Sequence, residues 1–372
     1  MGSNPTLSSR FSGENLALVG KKGNISFRKV FWSPEALRCF VPLHSPYDRR
    51  YLNSSEMIQE KYSSSRVRVA ILLCTMNGQR FLGEQLDSIA AQTFPHWQVW
   101  VSDDGSQDET LAILARYHAA WGDDRLFLQA GPGRGCAANF LSLTCRADLE
   151  AEYYAFADQD DIWEADKLHR AVAWLESVPS TVPALYCSRT RLIDAIGGEI
   201  GLSPLFSRPP GFANALVQNI GGGNTMVFNQ AARTLLQEAG AEIEIVAHDW
   251  WAYLLVAGCG GRVFYDPSLT VRYRQHGGNL VGANVGWLAS LVRVRRLIKG
   301  RFKEWNATNF KALQMVCRIL TPENQQILKE WEEARLQQTL SIRFTCLKRA
   351  GLYRQTLAGN LGLRAAVFFR RL

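Results

Sequence analysis

Residues 153–167 read YYAFADQDDIWEADK. Tyr153 to Ala157 have the aromatic and apolar character of a buried strand, which then breaks into Asp158, Asp160 and Asp161 within four positions. Carboxylates this close repel, and in a cleft the repulsion raises at least one pKa unless a cation holds them. A strand exit that turns carboxylates in alternating directions can hold a hard divalent cation through one or two oxygens, leaving its other positions to phosphate and water. The same residues also read as a solvated acidic turn capping a helix from Trp163 to Leu175. DQDD alone does not choose between the two.

Both flanks alternate strand with helix. Upstream, Val67 to Cys74 (VRVAILLC) is continuously apolar and fits a strand buried on both faces. Leu82, Leu86, Ile89 and Ala90 then recur at helical spacing within Phe81 to Gln92. WQVWVSDDGS is a second strand running into Asp103 and Asp104, followed by a helix from Thr110 to His118 for which Asp108 is the cap. RLFLQ is a third strand, and Ala137 to Ala147 a helix. This is the pattern of an α/β fold with a mostly parallel sheet, in which ligands bind beyond the carboxyl ends of the strands. The segments at Thr75, Asp103 and Asp158 share that edge. Downstream come the strand ALYCS, a loop through Pro204 to Gly211, the glycines 221–223, the strand-like NTMVFN, a helix from His248 to about Ala257, and two strands, GRVFYDP and LTVRYRQH.

The ends differ from this middle. Residues 1–66 are rich in Ser, Asn and Arg, and are expected to form a loosely ordered extension in which Met57 is an alternative start. Residues 67–285 are the expected catalytic domain. Over 286–372 a basic, amphipathic helical region is expected, with Arg293, Arg295, Arg296, Lys299, Arg301 and Lys303 interleaved with Leu291, Val294, Leu297 and Ile298.

The chain has 372 residues, 47% of them hydrophobic, which is enough for a real core. Its net charge of +8 suits an anionic partner without choosing among nucleic acid, a lipid surface or a phosphorylated small molecule. The eight cysteines lack any CxxC pair and read as reduced thiols of a cytosolic protein. The N-terminus lacks a secretory signal, and no window reaches the ~20 apolar residues of a membrane span. A soluble or peripheral chain is therefore expected.

Other residues carry possible chemistry. Asp103 or Asp104 can accept from a base or ribose hydroxyls, or simply close a turn. Asp249, in HDWW, opens an aromatic helix where burial raises its pKa and the helix N-terminus lowers it, which suits a general base as well as an ordinary first-turn carboxylate. His276, in VRYRQHGGN, is a metal or phosphate contact or a structural histidine, and Arg272 or Arg274 on that strand can face a diphosphate. The glycines of GPGRG and GGGN free backbone amides for an anion or make turns. Neither is a P-loop, and the first strand lacks the G-x-G-x-x-G of a dinucleotide site.

In order and spacing, VAILLCTMNGQRFLGEQLDSIAAQT, VSDDGSQDET, FADQDDIWEADKL, HDWW and YRQHGGN together resemble an inverting family 2 glycosyltransferase of the GT-A fold, in its bacterial rhamnosyltransferase-like branch. The resemblance covers about 67–284. It implies that Thr75, Asn77 and Asp103 or Asp104 line a nucleotide pocket, with Asp103 the preferred partner of the base. Asp160 would bind Mg²⁺ or Mn²⁺ directly, Asp158 would touch the metal, ribose or sugar, and His276 would serve as metal ligand or phosphate contact. Arg274 would face the donor diphosphate. Asp161, Trp163, Asn224 and Trp250 would serve the sugars, and Asp249 would be the catalytic base. The implied donor is a nucleotide-diphosphate sugar, best dTDP-L-rhamnose. The implied acceptor is a lipid-borne bacterial surface glycan such as lipopolysaccharide core or O-antigen, met at the inner face of the cytoplasmic membrane. No nucleic-acid motif accompanies the basic patch. The rival readings are a scaffold that binds nucleotide sugar or membrane without turnover, and a sugar nucleotidyltransferase, whose glycine-rich signature TMNGQR fits poorly. A phosphatase would need DxDxT where this chain has DQDDI.

Overall fold

A computed structural model describes residues 69–276 and 301–371. The expected extension over 1–66 and the basic stretch from Arg293 to Lys299 lie outside the described residues. All seven residues of β1, Val69–Thr75, are buried, and this strand sits inside the sheet. The other strands are β2 (Trp97–Asp103), β3 (Leu126–Ala130), β4 (Tyr153–Ala157), β5 (Ile162–Trp163), β6 (Ala184–Ile193), β7 (Glu199–Leu202), β8 (Val227–Asn229) and β9 (Arg262–Arg274). They form one nine-stranded sheet in the order β3-β2-β1-β4-β8-β6-β9-β5, with β7 added to β6. The first four are mutually parallel, β8 runs antiparallel to β4 and β6, and β6 and β9 are parallel.

The pleat of β1 divides the core. Val69, Ile71 and Leu73 face a cluster with α1 (Leu82–Ala90), α2 (Thr110–Trp121) and, beyond α3 (Cys136–Thr144), α4 (Lys167–Leu175). Ala70, Leu72 and Cys74 face the opposite cluster, which holds α3, the short α5 (Phe212–Ala215), α6 (Gln230–Ala239) and α7 (His248–Gly258). Burying each such Leu or Ile stabilises the fold by roughly 1.5–3 kcal/mol. The terminal helices α8 (Arg301–Met315), α9 (Pro322–Leu336), α10 (Leu340–Arg349) and α11 (Leu357–Phe368) share this second core through Phe310, Leu313, Leu328, Trp331, Leu347 and Val367. No described helix is long and apolar enough to cross a membrane, and every described cysteine is a free thiol.

Three expectations are corrected. Trp163 lies in β5 rather than in a helix, and α4 begins only at Lys167. The two strands expected around Pro267 are one, β9, because an irregularity in its pairing with β6 after Ser188 absorbs Pro267 and Ser268. Asp108 does not occupy the N-cap position, which is Glu109, yet its Oδ1 still accepts from the Thr110 amide at 3.0 Å.

Candidate active site

The register of the parallel strands brings the acidic segments to one edge. Thr75 pairs with Asp103 across β1 and β2, and Leu73 pairs with Ala157 across β1 and β4, so Asp158 emerges beside Cys74 and Thr75. At the β2 exit the carboxylates hold loops. Asp103 is buried and accepts from Thr75 Oγ1 at 2.7 Å, Ser106 Oγ at 2.6 Å, and the Ser106 and Gly105 amides at 2.8 and 3.1 Å. Burial pushes its pKa up, but the hydrogen bonds from Ser106, Thr75 and Gly105 outweigh it and leave the group below its ordinary value. Asp104 accepts from the Gly133 and Gly135 amides at 2.6 and 2.9 Å. Of the two readings of GPGRG, amides free for an anion or a turn, the second fits: the Gly133 and Gly135 amides are bound to Asp104 and the Gly131 amide to the Asp103 carbonyl. Asn77 has a left-handed φ of 50° and ties the β1 exit to the same loop, donating its amide to Ser106 Oγ and accepting from the Gln107 amide, both at 2.8 Å.

The β4 exit is built differently. Gln159 docks on the first loop, accepting from the Met76 amide at 2.9 Å and donating to the Met76 carbonyl at 3.0 Å. Gly78 permits this, since a Cβ there would lie 2.3 Å from Gln159 Oε1. Asp161 is 0% exposed, accepting from Asn224 Nδ2 at 2.5 Å and from the Arg274 amide at 3.0 Å. Burial and the Asp160 charge raise its pKa against those bonds. Asp158 and Asp160 are only half-buried. Asp158 is held well above the carboxylate range, first by burial and then by Asp161, Asp160 and Asp249. Asp160 Oδ2 lies 2.6 Å from His276 Nε2, whose ring packs 5.0 Å from that of Phe81.

The expected sugar and donor contacts are redistributed. Arg274 is 1% exposed, and its guanidinium donates to the Asp160 carbonyl at 2.9 Å and to Glu84 at 2.5 Å. It braces the DQDD turn from behind instead of facing a diphosphate. Trp163 is buried, with the ammonium of the fully buried Lys167 3.6 Å from its ring centre, and so offers no platform for a sugar. Burial lowers Lys167 to about 7 against the opposing charge of Asp161. Trp250 is also core, donating its indole N–H to the Ala215 carbonyl at 2.6 Å. Asn224 and Asp161 bind each other, not the open cleft.

Asp249 opens α7, half-buried, with Oδ2 accepting from the Gly223 amide at 3.0 Å and Oδ1 from the Trp250 amide at 2.6 Å. Burial raises its pKa, partly offset by bonds from Trp250, Gly223 and the Asn219 side chain. Gly223 has to be glycine, since a Cβ would lie 2.4 Å from His248 Nε2. His248 stacks on Phe140 with ring centres 3.7 Å apart, and burial lowers it to about 3, so it stays neutral. The thiol of Cys136, at the start of α3, lies within reach of four carboxylate charges. Its pKa is raised first by desolvation and then by Asp158, Asp249, Asp104 and Asp160.

Asp158, Asp160 and His276 fit a hard divalent cation by chemistry: two accessible carboxylates and an imidazole, in a cluster whose like charges a cation would relieve. Among the described residues the group of three donors whose ligand atoms all lie within 4.8 Å of one another is Glu330, Glu333 and Cys346, elsewhere in the helical region. The DQDD turn thus offers few protein ligands, which suits an ion that completes its shell with substrate phosphate and water. Sequence reading missed Gln159, Lys167, Asn219 and Glu84. Only Gln159 carried a signal, as the single neutral residue inside DQDD.

Residues 70–226 match the family model Glycosyl transferase family 2. The chain is 29% identical over 235 residues to dTDP-rhamnosyl transferase RfbG of Shigella flexneri, a match spanning 60% of this chain and 78% of that protein. Further curated glycosyltransferases, two of them from Bacillus subtilis, are matched over 40% and 41% of their lengths. Among solved structures, residues 1–349 of TarS from S. aureus align at TM-score 0.48 and 13% identity, covering 82% of this chain and 87% of that one. The mannosyltransferase PcManGT from Pyrobaculum calidifontis, in complex with GDP-Man and Mn2+, aligns at TM-score 0.47 and 18% identity, covering 86% and 85%.

Proposed function

We propose that the chain, whose residues 70–226 match the family 2 glycosyltransferases, moves a sugar from a nucleotide diphosphate to an acceptor hydroxyl with inversion, Asp249 acting as the base. The observation that carries this reading is Asp249 itself. It is a half-buried carboxylate fixed by two backbone amides, and burial raises its pKa above the ordinary value, which favours accepting a proton. The amides of Gly223 and Trp250 orient it, and the neutral His248 beside it adds no competing charge. Asp249 takes the proton from the acceptor hydroxyl as that oxygen attacks the anomeric carbon on the face opposite the leaving diphosphate, and one displacement inverts the centre.

Asp158, Asp160 and His276 are the residues that would hold Mg²⁺ or Mn²⁺, an ion that neutralises the charge of the departing diphosphate as a Lewis acid. Arg274 and Asn224 keep the turn in place by binding Asp160 and Asp161 from the protein side. The loops tied together by Thr75, Asn77, Asp103 and Asp104 form the floor of the nucleotide pocket. The likeness to a dTDP-rhamnosyl transferase supports dTDP-L-rhamnose as donor. A lipid-borne bacterial surface glycan is the acceptor, reached at the inner face of the cytoplasmic membrane. The charge distribution supports that location: residues 301–372 carry 13 basic and five acidic side chains, and so account for the whole net charge of +8.

The test is a panel of nucleotide sugars assayed with Mg²⁺ or Mn²⁺ for hydrolysis and for transfer to lipid-linked and lipopolysaccharide-core acceptors. Turnover of dTDP-rhamnose to an α-linked product is expected. Failure to bind or turn over any donor would end the transferase reading for this chain.

A further inference from the structure

The terminal helices enclose a cavity that sugar transfer does not use. Its volume is about 130 Å³, several times the ~30 Å³ that a water molecule occupies in the liquid. Lys303 of α8, Arg335 of α9, Gln337 and Gln338 after it, Arg343 of α10 and Arg370 after α11 line it, and among the described residues its wall has no carboxylate side chain. Arg343 is only 5% exposed, and its Nε has no hydrogen-bond partner, although the same guanidinium donates to the Val367 and Phe368 carbonyls. The Nε of Arg335 is likewise buried without a partner, its guanidinium resting 4.9 Å from the centre of the Phe310 ring. Glu332, whose charge acts on Arg335, already accepts from Gln314 at 2.9 Å. Four cationic side chains around one cavity repel one another, and an anion held among them relieves that repulsion.

We propose that Lys303, Arg335, Arg343 and Arg370 form a phosphate-binding pocket, separate from the DQDD turn and serving a second ligand. Guanidinium forks match phosphate oxygens in pairs, and the lysine adds a mobile point charge at the mouth. The surroundings point to a phosphate carried on an amphiphile. Leu336, a wall residue, is 71% exposed. The adjoining α11 presents Leu357, Leu361 and Phe368 on the face opposite its buried Leu363, Ala366 and Val367, with Arg364 among them. A phospholipid head group in the cavity would lay its chains along this apolar face. Free phosphate is the other source of the same chemistry.

The experiment uses the full chain with EDTA present, so that no metal-dependent anion site competes. Inorganic phosphate is titrated at constant ionic strength while Tm is followed, and sedimentation is measured with vesicles of phosphatidylcholine with or without phosphatidylglycerol. A saturable rise in Tm with phosphate, or sedimentation that requires phosphatidylglycerol, is expected. The first alone identifies a free anion as the source, the second alone a head group. Lys303→Gln/Arg370→Gln, at exposed positions, and separately Arg335→Met, are expected to weaken the response about tenfold, the effect of losing one charged hydrogen bond, while leaving sugar transfer at the wild-type rate. No saturable response to either probe, or one that both variants leave intact, overturns the proposal. Neither result depends on the transferase reading, because no donor or acceptor is present.

Discussion

The exits of β2 and β4 lie at the same edge of the sheet with β1 between them, and both are crowded with aspartates, yet the fold uses them in opposite ways. At β2, Asp103 and Asp104 meet six donors from two loops and the end of β1, and both carboxylates are consumed in holding those segments. At β4 only Asp161 is treated this way, by Asn224 and Arg274, while Asp158 and Asp160 stay half open and crowded. The difference is one of supply. Where the chain delivers N–H and O–H groups, a carboxylate becomes a fastener, and where it delivers other carboxylates and the single imidazole of His276, two carboxylates stay half-buried beside like charges.

The sharpest way to break this comparison is Asp160→Ala, which should lower transfer by roughly 10²–10³-fold, as losing an electrostatic contact to the leaving group does, with Tm nearly unchanged. Steady-state kinetics beside a melting curve would show it, and equal losses in both would make Asp160 a fastener too. Asn224→Leu should do the reverse, leaving Asp161 short of a partner and costing about 2–3 kcal/mol of stability in denaturant titration. Asp103 sharpens the comparison through pH. Its pKa is lowered in the folded state, so its contribution is present above the ordinary carboxylate value and lost as pH falls through the folded one. The stability gap between wild type and Asp103→Ala should therefore be widest above about pH 4 and close below it; a gap independent of pH would contradict the assigned bonds. The smallest effect is expected from Asp158→Asn in EDTA. Removing one like charge should raise Tm by roughly 2–4 °C, the shift that about 1 kcal/mol produces in a domain of this size, while a fall would deny the crowding.

Much of the sheet was readable in advance because its signals are local. Tyr153 to Ala157 is a strand with the boundaries the sequence predicts, and the unbroken apolar run of β1 follows from burial on both faces. Asp249 at the head of a helix was likewise visible in HDWW. What stayed hidden depends on partners far along the chain. Nothing in DQDD tells Asp161 from its neighbours until Asn224, 63 positions on, and Arg274, 113 positions on, close over it. The resemblance implies a sugar-binding role for Trp163 and Trp250, but their neighbours are Lys167, Ser88 and the Ala215 carbonyl, and packing buries both. The bend that carries Pro267 inside a single strand is set by β6, not by the proline's own neighbours.

The proposed role of Asp249 is that of proton acceptor, with helix-end bonds that serve chemistry rather than folding. It is tested most directly by the kcat of Asp249→Asn at saturating donor and metal, with donor affinity and Tm measured on the same preparation. The account predicts a loss of roughly 10²–10⁴ in kcat with affinity and melting close to wild type. Full transfer by Asp249→Asn would contradict it.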